Sequence, residues 1–253
     1  MRNIDVLKNL ASKGNSFTVN DVVKISKLDR DSLKKMLYRM ERRGWIERIE
    51  KGKYLIIPLD AQKGKYTLNE FVIGSLLVNP YSIAYWSALN FYGFTEQIPS
   101  TVFIQTISRK KKQDIEVFGV RYRIIRLKGE KFFGMRKEWI EDFQIKITDR
   151  EKTIVDCLDK PQFCGGIVEV AKGLKSKDFD KKKLLRYAKR IGNSGVLRRL
   201  GYLDEFLSLD INVPRPDTRN YLLLDPTMSH KGSTSSKWRL VVNLNKKILE
   251  KLE

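Results

Sequence analysis

The chain has 253 residues, which is enough for two or three domains. Hydrophobic residues make up 42% of it and can build packed cores, so a wholly disordered protein is excluded. Because 50 Lys and Arg residues outnumber 30 Asp and Glu residues, the formal charge is +20. A charge of this size predicts attraction to polyanions, nucleic acid first and anionic membranes second. Adaptation to high temperature is an alternative source for part of the charge.

Several other classes of protein are excluded by what the sequence lacks. No apolar run approaches the roughly 20 residues that a membrane-spanning helix needs. The first residues contain no uninterrupted apolar segment, so we expect no secretion and a reducing cytosol as the compartment. Cys157 and Cys164 match neither a disulfide framework nor a zinc motif. With a single histidine, His230, predicted to lie exposed in a loop, the sequence indicates no metal site, no cofactor and no catalytic residue.

The pattern of the first sixty residues predicts three short helices followed by a hairpin. Ile4, Leu7 and Leu10 recur at helical spacing and predict the first helix. Thr18, with Asp21 three residues later, is typical of the N-terminal cap of a second helix. A tight connection then leads to the third helix, which carries the strongest pattern.

The third predicted helix has two faces of opposite character. Asp29 is placed to cap it, and it extends from Arg30 to about Arg43, where Gly44 ends it. One face carries an apolar stripe with the spacing i, i+3, i+4 and i+7, formed by Leu33, Met36, Leu37 and Met40. At about 100° per residue, the opposite face carries mainly cations and hydrogen-bonding groups, namely Asp31, Lys34, Lys35, Tyr38, Arg39 and Arg42.

The stretch 45–57 predicts a two-stranded hairpin with a basic tip, Lys51-Gly52-Lys53. Helix, helix, short turn, basic helix and hairpin form the order of a winged helix-turn-helix, in which one helix enters the major groove. We therefore predict a DNA-binding domain at 1–60. Its predicted interface residues are Arg30, Ser32, Lys34, Lys35, Tyr38, Arg39, Arg42, Lys51 and Lys53. The alternative is a solvated charged helix on an ordinary small domain.

Residues 59–65 form a short polar link, and we place a domain boundary there. Beyond it, the pattern predicts helices at 68–78 and 82–92 and strands at 101–106, 120–126 and 145–147. A capping box of Thr148 and Glu151 predicts a further helix that ends before Pro161. Because the strands are clustered, the predicted fold class is α+β, with this second domain at 65–175.

A helix-rich C-terminal region at 176–253 completes the predicted architecture and ends in a strand at 238–244. The segment 181–190 is strongly cationic and amphipathic, and a second helix is predicted at 196–207. Two interpretations of the cationic segment stay open: a second nucleic-acid surface, or adaptation to a hot or salty cytosol. The serine-rich stretch 232–236 predicts a flexible loop.

An enzyme that acts on nucleic acid and is targeted by the winged helix is the competing hypothesis. The candidate acid pairs are Asp149 with Glu151 and Asp156 with Asp159. Helix capping and the helix dipole account for the first pair, and the second is typical of an exposed helix surface. Cys157 is predicted to be a small core residue rather than a nucleophile. The lack of a cluster of His and acidic residues favours a regulator without catalytic turnover.

The middle and the end of the chain contain short motifs in a characteristic order. They include 80–99, Lys131-Phe132-Phe133-Gly134, the charged run 149–161, 165–171, Leu224-Asp225-Pro226 and 237–243. In order and spacing, these motifs resemble the AbiEi family of antitoxins, whose members are also described as predicted transcriptional regulators. The resemblance covers nearly the whole chain, including the expected N-terminal winged helix.

The resemblance implies a protein with two parts. The N-terminal part would bind double-stranded operator DNA and repress its own operon. The remainder would counter a cognate toxin of the nucleotidyltransferase type in phage defence, as a functional partner that need not be bound physically. No membrane partner is implied. A nucleotidyltransferase gene adjoining this one would distinguish the regulator from the enzyme.

Overall fold

The computed structural model describes residues 3–26, 28–58 and 68–245, together with residues 247 and 249. The chain forms two compact units. The first contains the residues up to 77 and the short segment 116–119, and the second contains 78–115 and the chain from 120 onward. The predicted link at 59–65 lies outside the described residues, which stop at 58 and resume at 68. The predicted boundary at 175 falls inside the second unit, so a separate third domain stays a prediction.

Short helices and one small sheet make up the first unit. Its elements are α1 (Asn3–Ala11), β1 (Ser16–Thr18), α2 (Val19–Ser26), α3 (Arg30–Arg42), β2 (Ile46–Glu50), β3 (Lys53–Ile56) and α4 (Glu70–Leu77). The strands lie in the order β1-β3-β2, and both outer strands are antiparallel to β3. The predicted cap of α2 is present, because the Thr18 N–H donates to Asp21 Oδ2 over 2.8 Å. Three helices and a hairpin in this order are consistent with the predicted winged helix.

The apolar sides of α1, α2, α3 and the three strands share one core. Phe17 of β1 stacks on Tyr54 of β3, with ring centroids 5.5 Å apart. The core contains Val6, Leu7, Leu10, Phe17, Val22, Leu33, Met36, Leu37, Met40, Ile46, Tyr54 and Ile56. The strand β1 was not predicted, because three residues are too short to show an alternating pattern. Its pairing with β3, in the register Ser16 to Leu55, holds it in place.

A larger sheet with helices characterises the second unit. The elements beyond residue 78 are β4 (Ser82–Ile83), α5 (Tyr85–Phe91), β5 (Thr101–Thr106), β6 (Asp114–Val117), β7 (Val120–Arg126), β8 (Met135–Ile140), β9 (Phe143–Thr148), α6 (Arg150–Asp159), α7 (Ile167–Lys175), α8 (Lys181–Arg190), α9 (Ser194–Phe206), β10 (Leu222–Leu223), β11 (Ser233–Ser235) and β12 (Leu240–Val242). Within the sheet, the strands follow the order β7-β5-β4-β9-β8. A smaller sheet has the order β10-β12-β11. The mixed α+β class is confirmed.

The helix predicted at 82–92 is wrong in its first part. Ser82 and Ile83 form the strand β4, which lies between β5 and β9. Ile83 is fully buried, and Ala84 is still extended with φ −154° and ψ −179°. Helix α5 therefore begins only at Tyr85. Pairing with two neighbouring strands outweighs the helical spacing of this segment, which is a tertiary effect that local sequence does not carry.

The flexible loop predicted at 232–236 is also wrong. Ser233 to Ser235 form β11, which pairs antiparallel with β12 in the register Thr234 to Val241. A Cβ on Gly232 would lie 2.2 Å from the carbonyl oxygen of Val242, so the close approach of the two strands requires glycine there. Gly232 is thus explained by strand packing.

The helix α6 is capped by a residue other than the predicted one. Asp149 is the N-cap, and its Oδ1 accepts from the Lys152 N–H over 2.8 Å. The Thr148 hydroxyl instead lies 2.7 Å from the hydroxyl of Thr153. Glu151 does not close a capping box, since its Oε1 accepts from the Asp180 N–H over 2.9 Å. Asp149 is the better cap because its carboxylate also complements the helix dipole.

The resembling motifs at 165–171 and 224–226 meet in the second unit. Asp225 is 1% exposed, and its Oδ2 accepts from the Ile167 N–H over 2.7 Å at the start of α7. Gly166 precedes that helix with φ 90°, and a Cβ there would lie 2.6 Å from Asp225 Oδ2. These motifs therefore form a long-range helix cap. Among the described residues, no helix has the length and apolar character that crossing a membrane requires.

Candidate nucleic-acid interface

The helix α3 is fixed at both ends by local contacts. At its start, Asp29 Oδ1 accepts from the N–H groups of Asp31 at 2.9 Å and Ser32 at 3.0 Å. These hydrogen bonds, led by that of Ser32, lower the pKa of Asp29. At its end, Gly44 adopts φ 71°, which terminates the helix as predicted. These contacts fix where the thirteen-residue helix begins and ends.

Burial of the apolar stripe decides which side of α3 faces outward. Leu33, Met36, Leu37 and Met40 are each at most 5% exposed and belong to the core of the first unit. At about 100° per residue, Lys35, Tyr38 and Arg42 lie within about 40° of the direction opposite to this stripe. Lys34 and Arg39 lie on the flanks of the same face.

The structure leaves most of the predicted residues of α3 exposed. Ser32 is half-buried, and the other six are exposed: Arg30, Lys34, Lys35, Tyr38, Arg39 and Arg42. Tyr38 is 60% exposed, and the Arg42 guanidinium lies 5.9 Å from its ring centroid. Lys34 is close to Asp31, with 3.4 Å between Nζ and Oδ1. Five of the predicted residues share the outward face, and Arg30 and Ser32 lie nearer the edges of the apolar stripe. We call these five residues the basic face of α3: Lys34, Lys35, Tyr38, Arg39 and Arg42.

Only one of the two predicted cations of the hairpin is exposed. Its two-residue tip is Lys51-Gly52, where Gly52 has φ 77° and its carbonyl accepts from the Val19 N–H over 2.9 Å. Lys51 is exposed. Lys53 is half-buried, and its ammonium group donates to the carbonyl of Leu76. The predicted residue Lys53 is thus engaged within the first unit.

Acidic residues and one further cation border the basic face. Partial burial and the nearby charge of Glu41 raise the pKa of Glu47 on β2. Arg43, which the predicted interface omitted, is exposed, and its guanidinium lies 5.0 Å from the centroid of Trp45. The sequence signal for Arg43 was its place directly after the helix, where a cation also complements the helix dipole. The positive surface therefore continues one residue past α3.

The acid pair predicted to decorate a helix surface in the second unit is buried instead. Asp156 is 2% exposed and forms an ion pair with Lys152, whose side chain is fully buried. Burial raises the pKa of Asp156 to about 6, although the neighbouring Lys152 opposes the shift. Asp159 accepts from Lys131 at 2.8 Å and from the Asn193 amide at 2.6 Å. The prediction that Asp156 and Asp159 lie on an exposed helix surface is wrong, because other elements pack around α6.

The other residues that were considered for catalysis are Asp149, Glu151, Cys157 and His230. The Lys183 ammonium lies 3.1 Å from Asp149 Oδ2 and 2.7 Å from Glu151 Oε2. Cys157 is fully buried, as predicted, and burial raises the pKa of its thiol. His230 is exposed. Within the described parts of the chain, no group of three or more His, Cys, Asp or Glu side chains could hold a metal ion.

Comparison with family models identifies the N-terminal segment. Residues 5–57 match the model of a family described as "Transcriptional regulator, AbiEi antitoxin". This match confirms the AbiEi resemblance over residues 5–57 and does not reach the motifs between 80 and 243. It covers the elements from α1 to β3, and the basic face of α3 lies within it. We call residues 5–57 the AbiEi segment.

The fold of the whole chain is similar to that of a protein of known structure. The crystal structure of the RV2827C protein from Mycobacterium tuberculosis superposes with a TM-score of 0.65. The similarity covers 97% of this chain and 92% of that chain, at 16% sequence identity. The shared architecture therefore extends beyond the AbiEi segment. No curated protein matches the sequence significantly.

Proposed function

We propose that this protein is a DNA-binding transcriptional regulator and antitoxin. It binds double-stranded operator DNA through the winged helix, represses its own operon in the cytosol, and counters a nucleotidyltransferase-like toxin without catalytic turnover. The observation that carries the proposal is the basic face of α3, which lies opposite a buried apolar stripe and within the AbiEi segment.

The electrostatics of the basic face favour a polyanion. All five of its residues are exposed, and four of them are cations. One exposed acid, Asp31, lies on the same side of the helix, beside Lys34. Cations on an outward helix face can contact phosphates on both sides of the major groove while the centre of the helix approaches the bases. The formal charge of +20 adds long-range attraction to the same partner.

The acidic and nucleophilic residues of the second unit support a role without catalysis. Lys183 forms ion pairs with both Asp149 and Glu151, and Asp156 pairs with Lys152. These groups form internal contacts in place of an open site. Countering a toxin through a protein surface or through gene regulation requires no such site. We therefore assign the antitoxin role to this unit.

The direct test is binding to a promoter fragment of its own operon. Replacing two flanking cations, Lys34→Ala with Arg39→Ala, should weaken binding by at least about tenfold, because each substitution removes an interaction with phosphate or base. The matched control removes two exposed cations near α1, Lys8→Ala with Lys13→Ala, and leaves the basic face unchanged. Fluorescence anisotropy with labelled duplex measures both affinities.

Equal affinity of the two double variants would show that the basic face of α3 is not the DNA surface. The antitoxin role is tested separately, by the growth of cells that express the toxin gene. The Lys34/Arg39 variant should still rescue growth when expressed from an independent promoter, because its second unit is unchanged. Loss of rescue by this variant would contradict a division of the two activities between the units.

A further inference from the structure

Tyr38 is the one aromatic side chain on the basic face of α3. It lies in the third turn of the helix, close to the direction opposite to the buried stripe, and 60% of it is exposed. Lys34 and Lys35 precede it by one turn, and the Arg42 guanidinium lies 5.9 Å from its ring centroid. The centre of the outward face thus combines an apolar ring with cations around it.

The chemistry of this ring differs from that of its neighbours. Lysine and arginine side chains contact phosphates or the acceptor atoms of guanine, and a carboxylate such as that of Asp31 accepts from cytosine. None of these groups recognises the C5-methyl group of thymine, which is the apolar feature of the major groove. A tyrosine ring at the centre of the face can cover that methyl group.

Building on the proposed DNA-binding function, we propose that Tyr38 is a specificity-determining residue that contacts the C5-methyl group of a thymine in the operator. The flanking cations Lys34 and Arg39 then supply phosphate contacts that do not depend on sequence. Specificity for thymine at one position of each binding site arises from the ring and not from its hydroxyl group.

A hydrogen bond from the Tyr38 hydroxyl to a phosphate is the competing role, because tyrosine also contacts the DNA backbone in this way. The two roles predict different results for Tyr38→Phe. Phenylalanine retains a ring that covers a methyl group, whereas it cannot donate a hydrogen bond to phosphate. Substitution of Tyr38 leaves the core unchanged, since this residue lies outside it.

The experiment uses the full-length protein and the segment of its own promoter that it protects from nuclease cleavage. Each thymine of that segment is replaced in turn by deoxyuridine, which removes only the methyl group. For the parent protein, one replacement should weaken binding by about fourfold, the factor that corresponds to one buried methyl group. Tyr38→Phe should show the same loss at the same position.

Tyr38→Ala should bind the thymine and deoxyuridine duplexes equally well, while Lys35→Ala should weaken binding to both by the same factor. If no deoxyuridine replacement affects the parent protein, Tyr38 does not read thymine and the inference is overturned, although DNA binding itself stands. On the unmodified duplex, Tyr38→Phe should bind more tightly than Tyr38→Ala. If both variants lose the same affinity relative to the parent protein, the inference is also overturned, in favour of a phosphate contact. Failure of the parent protein to bind any promoter fragment would overturn the proposed function and this inference with it.

Discussion

At the scale of single residues, location decides which charged groups are available for function. The charged run at 149–156 is the most suggestive chemical motif in the sequence, yet its side chains form contacts within the second unit. Lys152 and Asp156 are the extreme case, because both are buried and each is the other's charge partner. By contrast, the cations of α3 are exposed. Both regions have similar residue types, and only the fold separates a structural ion pair from an accessible surface.

The buried pair leads to a prediction about stability. Lys152→Met alone should lower the free energy of unfolding by about 3–5 kcal/mol, because it leaves the carboxylate of Asp156 buried without its cation. The double change Lys152→Met with Asp156→Leu should recover most of that loss, since an apolar pair needs no solvation. Urea denaturation measures both variants. If the double variant is as unstable as the single one, the pair acts through packing rather than charge.

The same carboxylate predicts a dependence of stability on pH. In the folded protein the pKa of Asp156 is raised to about 6, above the ordinary value of an aspartate in an unfolded chain. The folded state therefore binds this proton more readily, so the contribution of Asp156 to stability is fully present below about pH 4 and is lost as the pH rises through about 6. The free energy of unfolding of the parent protein, relative to that of Asp156→Asn, should fall over this range. A constant or rising difference would contradict the assignment.

At the scale of elements, α3 combines a buried apolar face and an exposed basic face. Leu37→Ala should lower the free energy of unfolding by about 2–5 kcal/mol, because Leu37 is 5% exposed and belongs to the core. Lys35→Ala, on the opposite face, should change it by less than about 0.5 kcal/mol. Thermal or urea unfolding compares the two variants. Similar stabilities would mean that the orientation of the helix is wrong.

Elements with strong local patterns could be predicted from the sequence, and elements fixed by distant partners could not. The apolar stripe and the cap at Asp29 were sufficient to place α3 and its two faces. The strands β4 and β11 have two and three residues, and each exists because a neighbouring strand pairs with it. For the same reason, the sequence could not indicate that Lys53 donates to the carbonyl of Leu76, which is 23 residues away. Burial of Asp156 was likewise a tertiary property.

At the scale of the whole molecule, the cations differ in whether they are paired with a carboxylate or exposed. Part of it is neutralised inside the second unit, where Lys131, Lys152 and Lys183 each pair with a carboxylate. The basic face of α3 keeps its cations exposed within the AbiEi segment. The strong positive charge of the sequence predicted a polyanionic partner, and the fold indicates where on the first unit that partner is expected to bind.

The most direct test of this central claim is the dependence of promoter affinity on salt concentration. A protein that contacts several phosphates loses affinity as salt rises, with a slope of about 0.9 per phosphate in a plot of log affinity against log salt. For the parent protein we expect a slope of several units, and Lys34→Ala with Arg39→Ala should reduce it by about one for each phosphate that the variant no longer neutralises. A flat response of the parent protein, or identical slopes for the parent and the double variant, would contradict binding of DNA through the basic face of α3.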